Sequence, residues 1–188
     1  MSSALLIYSV APPAGLPAAL LQHTYTNDFA AFANRTDLAR LDLDFDLHGR
    51  LVPVGDQPVL AQAIFTPAGQ LPVGYARVNL WPGFAEKGRV ETVAGPGQES
   101  RVAEVLAMLD LQPLWVPDVE GMVDARLVAG IGLEARLALQ DGLAIEDHIN
   151  LAMRLGTNYP LGPLEWLQKL GAQRAERLLN WATENLGA

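Results

Sequence analysis

The chain has 188 residues, a formal net charge of −8 at pH 7 and an isoelectric point near 4.8. Half of its residues are hydrophobic, enough to bury a sizeable core as one large domain or two small ones. The acidic balance argues against nucleic acid and anionic membranes as partners. Because the chain has no cysteine, disulfides, thiolate catalysis and cysteine-ligated metals are excluded, and a cytoplasmic setting is expected.

The first elements predicted along the chain are a buried strand and a short helix. Residues 5–10 form a short apolar run typical of a strand inside a sheet. Residues 11–15 then read Ala-Pro-Pro-Ala-Gly, where a dinucleotide-binding fold would carry Gly-x-Gly-x-x-Gly. Two prolines remove N–H donors that a pyrophosphate needs, so no dinucleotide fingerprint is present. A helix is predicted over residues 16–22, and residues 25–33 fit either a helix or a strand.

Residues 41–47, Leu-Asp-Leu-Asp-Phe-Asp-Leu, alternate apolar and acidic side chains, which predicts a strand over the whole segment. Asp42, Asp44 and Asp46 would share one face, where three carboxylates could bind a hard cation. The pattern favours a solvated strand face, or an edge protected by charge. No metal site is therefore predicted.

The remainder of the first half is predicted to contain four strands and one helix. Strands are predicted over residues 58–66, 74–81 and 89–93, followed by an amphipathic helix over residues 98–109 and a last strand over residues 113–116. Strands alternating with helices indicate an α/β layer.

The second half is predicted to be helical. A long run of helical spacing extends from Leu127 to Leu139, and a second covers residues 146–155, with Gly156 where a helix stop is expected. Tyr-Pro-Leu-Gly-Pro at residues 159–163 predicts a rigid turn. Pro163 would be the first residue of the next helix, where its missing N–H costs nothing.

This order of elements resembles the C-terminal domain of the 3-hydroxyacyl-CoA dehydrogenase family. That domain begins with Gly-Phe-Ile-Val-Asn-Arg-Leu and continues through Asn-Glu-Ala, a Gly, Ile-Asp-x-Ala-Met, Gly-x-x-x-Pro-x-Gly-Pro and a final Gly. The matching residues here are Gly121, Arg126, Leu127, Glu134, Ala135, Gly142, Ile149, Ala152, Met153, Gly156, Pro160, Gly162, Pro163 and Gly171. The match from Ile149 to Gly171 needs no gap.

The resemblance implies an α/β unit followed by an all-α unit. Residues 1–118 would form a shortened, reduced Rossmann-like domain, as in fused 3-hydroxybutyryl-CoA dehydrogenases. Residues 119–188 would form the C-terminal helical domain of the 6-phosphogluconate and 3-hydroxyacyl-CoA dehydrogenase type. The section carrying the second strand and the ribose-binding acid is expected to be shortened or missing.

The catalytic positions of the family are changed in this chain. The family supplies a His in His-Phe-Phe-Asn-Pro, a Glu in Leu-Val-Glu-Val-Val, an upstream Ser, and the Asn of Val-Asn-Arg-Leu. Aligning Glu91 with the family Glu puts Asn79 at the His position, and aligning on a nearby proline puts Val78 there instead. Neither side chain can take a proton. The Asn position falls on Ala125, and Thr66 is the hydroxyl nearest to the Ser position.

No catalytic or cofactor-binding residue is therefore expected, although the family uses NAD. Glu91 alone keeps its family position, and a solvated or ion-paired carboxylate is predicted there. His23, His48 and His148 lack a partner pattern that suggests catalysis, and a turn histidine such as His48 is usually solvated.

The resemblance therefore concerns the architecture and not the catalytic residues. The expected role is acyl-CoA binding or assembly. The alternatives are an active NAD-dependent 3-hydroxybutyryl-CoA dehydrogenase with replaced catalytic residues and a purely structural dimerisation module. A homodimer through the C-terminal helices, or docking on a full-length dehydrogenase, is the expected partnership. The apolar stripe predicted for core and dimer contact comprises Leu164, Leu167, Leu170, Leu178, Leu179, Ala182 and Leu186, with Trp166 and Trp181 beside it and small residues at Gly130 and Gly132.

Overall fold

A computed structural model describes residues 5–10, 23–81 and 88–186, without the side chains of Leu47 and residues 181–186. The chain divides into two compact units, Met1–Met122 and Val123–Ala188. The predictions for residues 11–15 and 16–22, and for the side chains of Trp181, Ala182 and Leu186, lie outside the described part.

The first unit is built on one sheet. Its strands are β1 (Leu5–Tyr8), β2 (Thr24–Thr26), β3 (Ala39–Asp42), β4 (Val59–Ala61), β5 (Tyr75–Val78), β6 (Arg89–Ala94) and β7 (Gln112–Trp115). Its helices are α1 (Phe29–Asn34), α2 (Phe45–His48) and α3 (Glu99–Ala107), with a 3₁₀ turn at Ala68–Gln70. The strand order is β2-β1-β3-β4-β5-β6-β7. All neighbouring strands are parallel except β5 and β6.

Both faces of this sheet are buried. Leu5 and Ile7 of β1 join a core that includes Leu106 of α3. Leu6 and Tyr8, which point to the opposite face of the strand, join a second core with α1. A mostly parallel sheet covered on both faces is the Rossmann-like arrangement, so the predicted α/β layer is confirmed.

The predicted strand over residues 41–47 is wrong beyond Asp42. The Asp42 carboxylate accepts the Asp44 N–H at 3.0 Å, and this local hydrogen bond turns the chain away from the sheet. Helix α2 follows. Leu43 and Phe45, predicted on one face, consequently lie in different cores.

The ambiguous segment 25–33 contains both kinds of structure. It begins within the three-residue strand β2 and continues into α1. Asp28 caps this helix by accepting the N–H groups of Ala30 and Ala31 at 2.9 and 3.2 Å. The second strand, expected to be shortened or missing, is therefore present but short.

The second unit consists of α4 (Asp124–Gln140), α5 (Glu146–Thr157), α6 (Pro163–Leu170) and α7 (Ala172–Leu186). Pro163 begins α6, as predicted. The predicted stop at Gly156 is wrong by two residues, because α5 continues to Thr157 and ends at Asn158, which takes the left-handed conformation at φ 55. Within the described ranges, no helix has the length and apolar character to cross a membrane.

Candidate functional site

The structure brings together two of the predicted site residues, Asn79 and Glu91. Asn79 follows β5 and Glu91 lies on the antiparallel neighbour β6. The Asn79 Nδ2 amide donates to Glu91 Oε2 at 2.9 Å, and the Asn79 backbone N–H donates to the Glu91 carbonyl at 3.0 Å. Both side chains are buried. The gap-free alignment thus pairs residues that are in direct contact.

Of the two alternatives predicted for Glu91, the solvated carboxylate is wrong. Strand β6 lies between β5 and β7, and Glu91 is only 3 % exposed. One of its hydrogen-bond partners is the neutral amide of Asn79. Val78, the other candidate for the His position, packs in the hydrophobic core.

An amide cannot perform the chemistry that the family assigns to histidine. Proton transfer needs a group that exists in two protonation states near neutral pH, and the Asn79 amide exists in one. Its Oδ1 atom accepts the Trp81 N–H at 3.3 Å, so both ends of the amide are engaged. The hydrogen bond can fix the two side chains between β5 and β6, but the Asn79 amide cannot relay a proton.

The carboxyl ends of β1 and β3 form the edge at which a Rossmann fold binds pyrophosphate. Here the Val10 N–H, just beyond β1, donates to Asp44 Oδ2 at 2.5 Å. Leu43, just beyond β3, donates its N–H to the Tyr8 carbonyl at 3.1 Å. A carboxylate thus already takes the Val10 N–H, the backbone donor just beyond the end of β1.

Asp42 lies beside this edge and is almost fully buried. Burial raises the pKa of Asp42 to about 7, and the neighbouring Asp44 and Asp46 add to that rise. The Asp44 N–H and the Arg50 charge oppose it. The predicted solvated row of carboxylates is therefore wrong for Asp42 and Asp44, because the chain folds them inward after β3.

His48 is not solvated either, contrary to the prediction. Its Nδ1 atom accepts the Arg50 N–H at 2.8 Å, so in the neutral ring the proton is on Nε2. That atom lies 3.3 Å from Asp42 Oδ2 without the alignment of a hydrogen bond. Burial and the Arg50 charge lower the pKa of His48, against an opposing effect of Asp44. A neutral imidazole thus faces a carboxyl group that is readily protonated.

Asp46, the third carboxylate of the row, accepts hydrogen bonds from backbone N–H groups. Asp46 accepts the N–H groups of Ile64 and Phe65 at 3.0 and 3.3 Å, which fixes the chain after β4. Among the residues that the structure describes, no three His, Asp or Glu side chains are placed to hold a metal ion.

Arg77 is a buried residue that the sequence patterns do not single out. Its Nε donates to the Ala63 carbonyl at 2.8 Å, one terminal nitrogen donates to the Ile64 carbonyl at 2.8 Å, and the other lies 2.6 Å from the Asp118 carboxylate. The Val119 carbonyl accepts from both terminal nitrogens. Strand β4 ends at Ala61, earlier than predicted, and Arg77 binds the carbonyls of Ala63 and Ile64 beyond its end.

The residues at the family's motif positions in and beside the second unit differ in burial and backbone conformation. Ala125, at the Asn position, is buried on α4. Arg126 is half-buried and Glu134 exposed on the same helix, while Gly156 and Pro160 are exposed. Gly121 and Gly171 have positive φ values of 79 and 85, which favour glycine.

The corner before α6 explains why Gly162 is glycine. A Cβ there would lie 2.3 Å from Asn150 Oδ1. Asn150, from α5, instead accepts the Leu164 N–H at 3.0 Å and so provides the cap that Gly162 lacks. The Glu165 carboxylate accepts the Gly162 N–H at 2.6 Å. The sequence alone could not identify Asn150 as the cap of α6, because the packing of α5 against this corner is a tertiary contact.

Comparison with known proteins finds relatives for the helical part of the chain. Residues 121–187 match the family model of the 3-hydroxyacyl-CoA dehydrogenase C-terminal domain. A 97-residue stretch is 45% identical to 3-hydroxyadipyl-CoA dehydrogenase of Escherichia coli K12, and covers 49% of this chain and 20% of that protein. A 95-residue stretch is 30% identical to the mitochondrial hydroxyacyl-coenzyme A dehydrogenase of Sus scrofa, and covers 48% of this chain and 30% of that protein. The chain thus matches less than a third of the length of these relatives.

A solved structure extends the similarity in fold to the sheet unit. The (S)-3-hydroxybutyryl-CoA dehydrogenase of Ralstonia eutropha superposes with a TM-score of 0.58 at 16% sequence identity, covering 89% of this chain and 65% of that chain. At this identity the likeness concerns the fold alone. The predicted resemblance is confirmed, since residues 121–187 match the C-terminal domain of the 3-hydroxyacyl-CoA dehydrogenase family.

Proposed function

We propose that this chain is a diverged 3-hydroxybutyryl-CoA dehydrogenase-like protein that is not catalytic by itself and serves acyl-CoA binding or the assembly of a dimer or larger complex. The observation that carries the proposal is the buried hydrogen bond from Asn79 to Glu91. In the family-based alignment this is the position of the histidine base and its carboxylate. An amide in the place of the base removes proton transfer while preserving the contact.

The edge of the sheet supports the same conclusion about the cofactor. NAD serves the family, yet the Val10 N–H donates to Asp44, and Asp42 and Asp46 lie close by in the chain. Bringing a pyrophosphate to this edge would place negative charge beside carboxylates. We therefore expect no NAD binding, whereas an acyl-CoA ligand remains part of the proposal. The absence of cysteine suits the cytoplasm as the place of action.

One observation favours the second candidate, an active NAD-dependent 3-hydroxybutyryl-CoA dehydrogenase. Glu91 is a buried carboxylate held in a fixed position, and burial is a condition under which a carboxyl group can become a base. The two candidates differ in their need for the nicotinamide. A purely structural dimerisation module would bind neither the nicotinamide nor a thioester.

The test is thermal unfolding of the purified chain with NADH and with acetoacetyl-CoA in separate samples. A ligand present at 100 times its Kd adds about 2.7 kcal/mol to the free energy of unfolding. If the chain binds acyl-CoA, we expect acetoacetyl-CoA alone to raise Tm. If it serves assembly only, we expect neither ligand to raise Tm. Stabilisation by NADH, or consumption of NADH in the presence of acetoacetyl-CoA, would contradict the proposal.

Two variants sharpen this test. Glu91→Gln keeps the shape of the side chain and a hydrogen-bonding atom toward Asn79, but removes the carboxylate. If Glu91 were a base, any NADH consumption would disappear in this variant. Under the proposal, acetoacetyl-CoA changes the Tm of the native chain and that of Glu91→Gln by the same amount. Thr66→Ala, which removes the hydroxyl nearest to the family Ser position, serves as the matched control.

A further inference from the structure

Asp42 and His48 meet in the interior at the carboxyl edge of the sheet. Asp42 is the last residue of β3, and His48 is the last residue of α2, the single helical turn that follows. The Asp42 side chain is 2% exposed and the His48 side chain 15% exposed. The rings of Tyr8, Phe29 and Phe45 surround the imidazole, with centroids 5.7, 5.2 and 6.1 Å away. The carboxyl group and the imidazole thus face each other away from bulk water.

The imidazole of His48 is held in one tautomer. Its Nδ1 atom accepts the Arg50 N–H at 2.8 Å, so the proton of the neutral ring is on Nε2. A second ring proton would have to lie on Nδ1, where it would point at the Arg50 N–H and break this hydrogen bond. Burial and the Arg50 charge, which lower the pKa of His48, act in the same direction. His48 is therefore a fixed donor that does not take up a proton released by Asp42.

The Nε2–H group of His48 gains an acceptor only when Asp42 is ionised. Among the described residues, no acceptor is aligned with this buried donor, although Asp42 Oδ2 lies 3.3 Å away. The other oxygen of Asp42 accepts the Asp44 N–H at 3.0 Å, which favours Oδ2 as the site of the proton in the neutral carboxyl group. That O–H and the Nε2–H are both donors, so they form no hydrogen bond with each other. Loss of the Asp42 proton removes this conflict.

The surroundings bring this loss into the neutral range. Burial raises the pKa of Asp42 to about 7, Asp44 and Asp46 raise it further, and the Asp44 N–H and the Arg50 charge oppose the rise. Helix α1 and strand β4, which also pack at this edge, contain no charged residue. The titratable and charged side chains around the pair are Asp44, Asp46, Arg50, Tyr8, whose hydroxyl accepts from Arg50 at 3.2 Å, and Tyr75 of β5.

We infer that Asp42 and His48 form a pH-operated latch, in which loss of the Asp42 proton creates a hydrogen bond from His48 Nε2 to Asp42 Oδ2 that joins the end of α2 to β3. The same ionisation strengthens the bond from the Asp44 N–H, because a charged acceptor holds its donors more tightly than a neutral one. Burial of the new charge still costs more than these bonds return, so the Asp42 pKa stays raised. The segment from Asp44 to His48 is thus held at both ends above neutral pH. This inference is independent of the proposed function.

The test is an NMR titration of the native chain from about pH 5 to about pH 9, with ¹⁵N in the histidine rings and ¹³C in the aspartate carboxyl groups. We expect the Asp42 carboxyl carbon to titrate at about pH 7. At the same midpoint the His48 Nε2–H proton should move downfield as its hydrogen bond forms, while Nδ1 remains unprotonated. Exchange of the Asp44 amide, corrected for its intrinsic pH dependence, should become roughly tenfold slower above the midpoint.

Two variants assign these changes to the latch. Asp42→Asn places a neutral amide beside His48, with its carbonyl toward the Asp44 N–H and its NH₂ group toward Nε2, and should abolish the shift of the Nε2–H proton and the change in Asp44 exchange. Asp37→Asn alters an exposed carboxylate and should retain both. Protonation of His48 Nδ1 in the native chain below pH 7, or a Nε2–H proton that does not follow the Asp42 carbon, would overturn the inference. Both outcomes are read from the native chain, so the test survives a variant that fails to fold.

Discussion

Among the described residues, eight of the nine buried polar or charged side chains belong to the Met1–Met122 unit, and six of the eleven exposed large hydrophobic side chains belong to the shorter Val123–Ala188 unit. In the sheet unit, buried charge is matched inside the same unit, as with Arg40 and the carbonyls of Ala33 and Pro53. In the helical unit, Asn150 is the buried polar residue.

This difference indicates which unit is complete in itself. A buried charge destabilises a fold unless its partners are close at hand, so the sheet unit depends on internal contacts. Exposed apolar surface contributes stability only when something covers it, and under the proposed assembly role the helical unit would gain from association. Breaking internal contacts should therefore produce the largest effects in the first unit, and the effects in the second should depend on protein concentration.

The largest effect is expected from Arg77→Ala. This change removes the guanidinium donors from the carbonyls of Ala63, Ile64 and Val119 and opens a cavity at a fully buried position. The Ile64 carbonyl keeps the Gly121 N–H as a donor. Removing one partner from a buried charged network costs about 3–5 kcal/mol. Urea unfolding monitored by circular dichroism measures the loss.

The matched control is Arg35→Ala. Arg35 also binds a carboxylate, that of Asp37 at 2.8 Å, but both side chains are largely exposed. Exposed ion pairs contribute little, so its unfolding midpoint should remain close to that of the native chain. Equal losses in the two variants would show that burial of Arg77 does not determine its contribution.

The next effect is a dependence of stability on pH caused by Asp42. Its pKa in the folded chain is about 7, above the ordinary value of 3.8, so the folded state holds a proton that the unfolded state has released between these values. The stabilisation is complete below about pH 4 and is lost as pH rises through 7. We expect a loss on the order of 4 kcal/mol across this window, about 1.4 kcal/mol for each unit of pH, measured as Tm in buffers of constant ionic strength.

Asp42→Asn imitates the protonated carboxyl group and should flatten this slope. Its control is Asp37→Asn, because the Arg35 hydrogen bond lowers the pKa of Asp37 and places its titration below the window. The slope between about pH 5 and 7 should survive in that control. A native slope that persists in Asp42→Asn would assign the dependence to another group, of which His48 is the nearest.

The sequence was informative where a pattern is local. The Pro-Leu-Gly-Pro turn at residues 160–163 predicted the start of α6 at Pro163, and the apolar run at residues 5–10 predicted a buried strand, since both depend on intrinsic backbone preferences. The alignment on Glu91 also placed Asn79 at the family's His position, and the structure shows these two residues hydrogen-bonded between antiparallel strands.

The sequence failed where tertiary contacts override a local pattern. Perfect alternation at residues 41–47 is strand periodicity, yet the Asp42 carboxylate binds the Asp44 N–H and the chain turns. An arginine inside a strand looks like a solvated residue, and nothing in the residues around Arg77 shows that Asp118 and Val119 lie beside it. Partners distant in sequence leave no local signal.

A smaller effect is expected from Asn150→Ala in the helical unit. The change removes the acceptor of the Leu164 N–H at the start of α6. Loss of such a cap costs about 1 kcal/mol, which urea unfolding can resolve. In the control Thr157→Ala, an exposed hydroxyl that bonds the Met153 carbonyl of its own helix is lost, and little change is expected because such bonds add little to a helix.

The smallest effect on the isolated chain, and the sharpest test of the comparison, comes from Leu127→Lys and Leu155→Lys. Both leucines are exposed, at 59% and 77%, so neither change should alter the stability of the monomer by more than about 0.5 kcal/mol. Of the two, only Leu127 lines the open apolar groove that residues of α4, α5, α6 and α7 form. Because association stabilises the folded state by mass action, Tm of the native chain and of Leu155→Lys should rise with protein concentration, whereas Tm of Leu127→Lys should not. Parallel rises in all three proteins would place the association surface elsewhere on the helical unit.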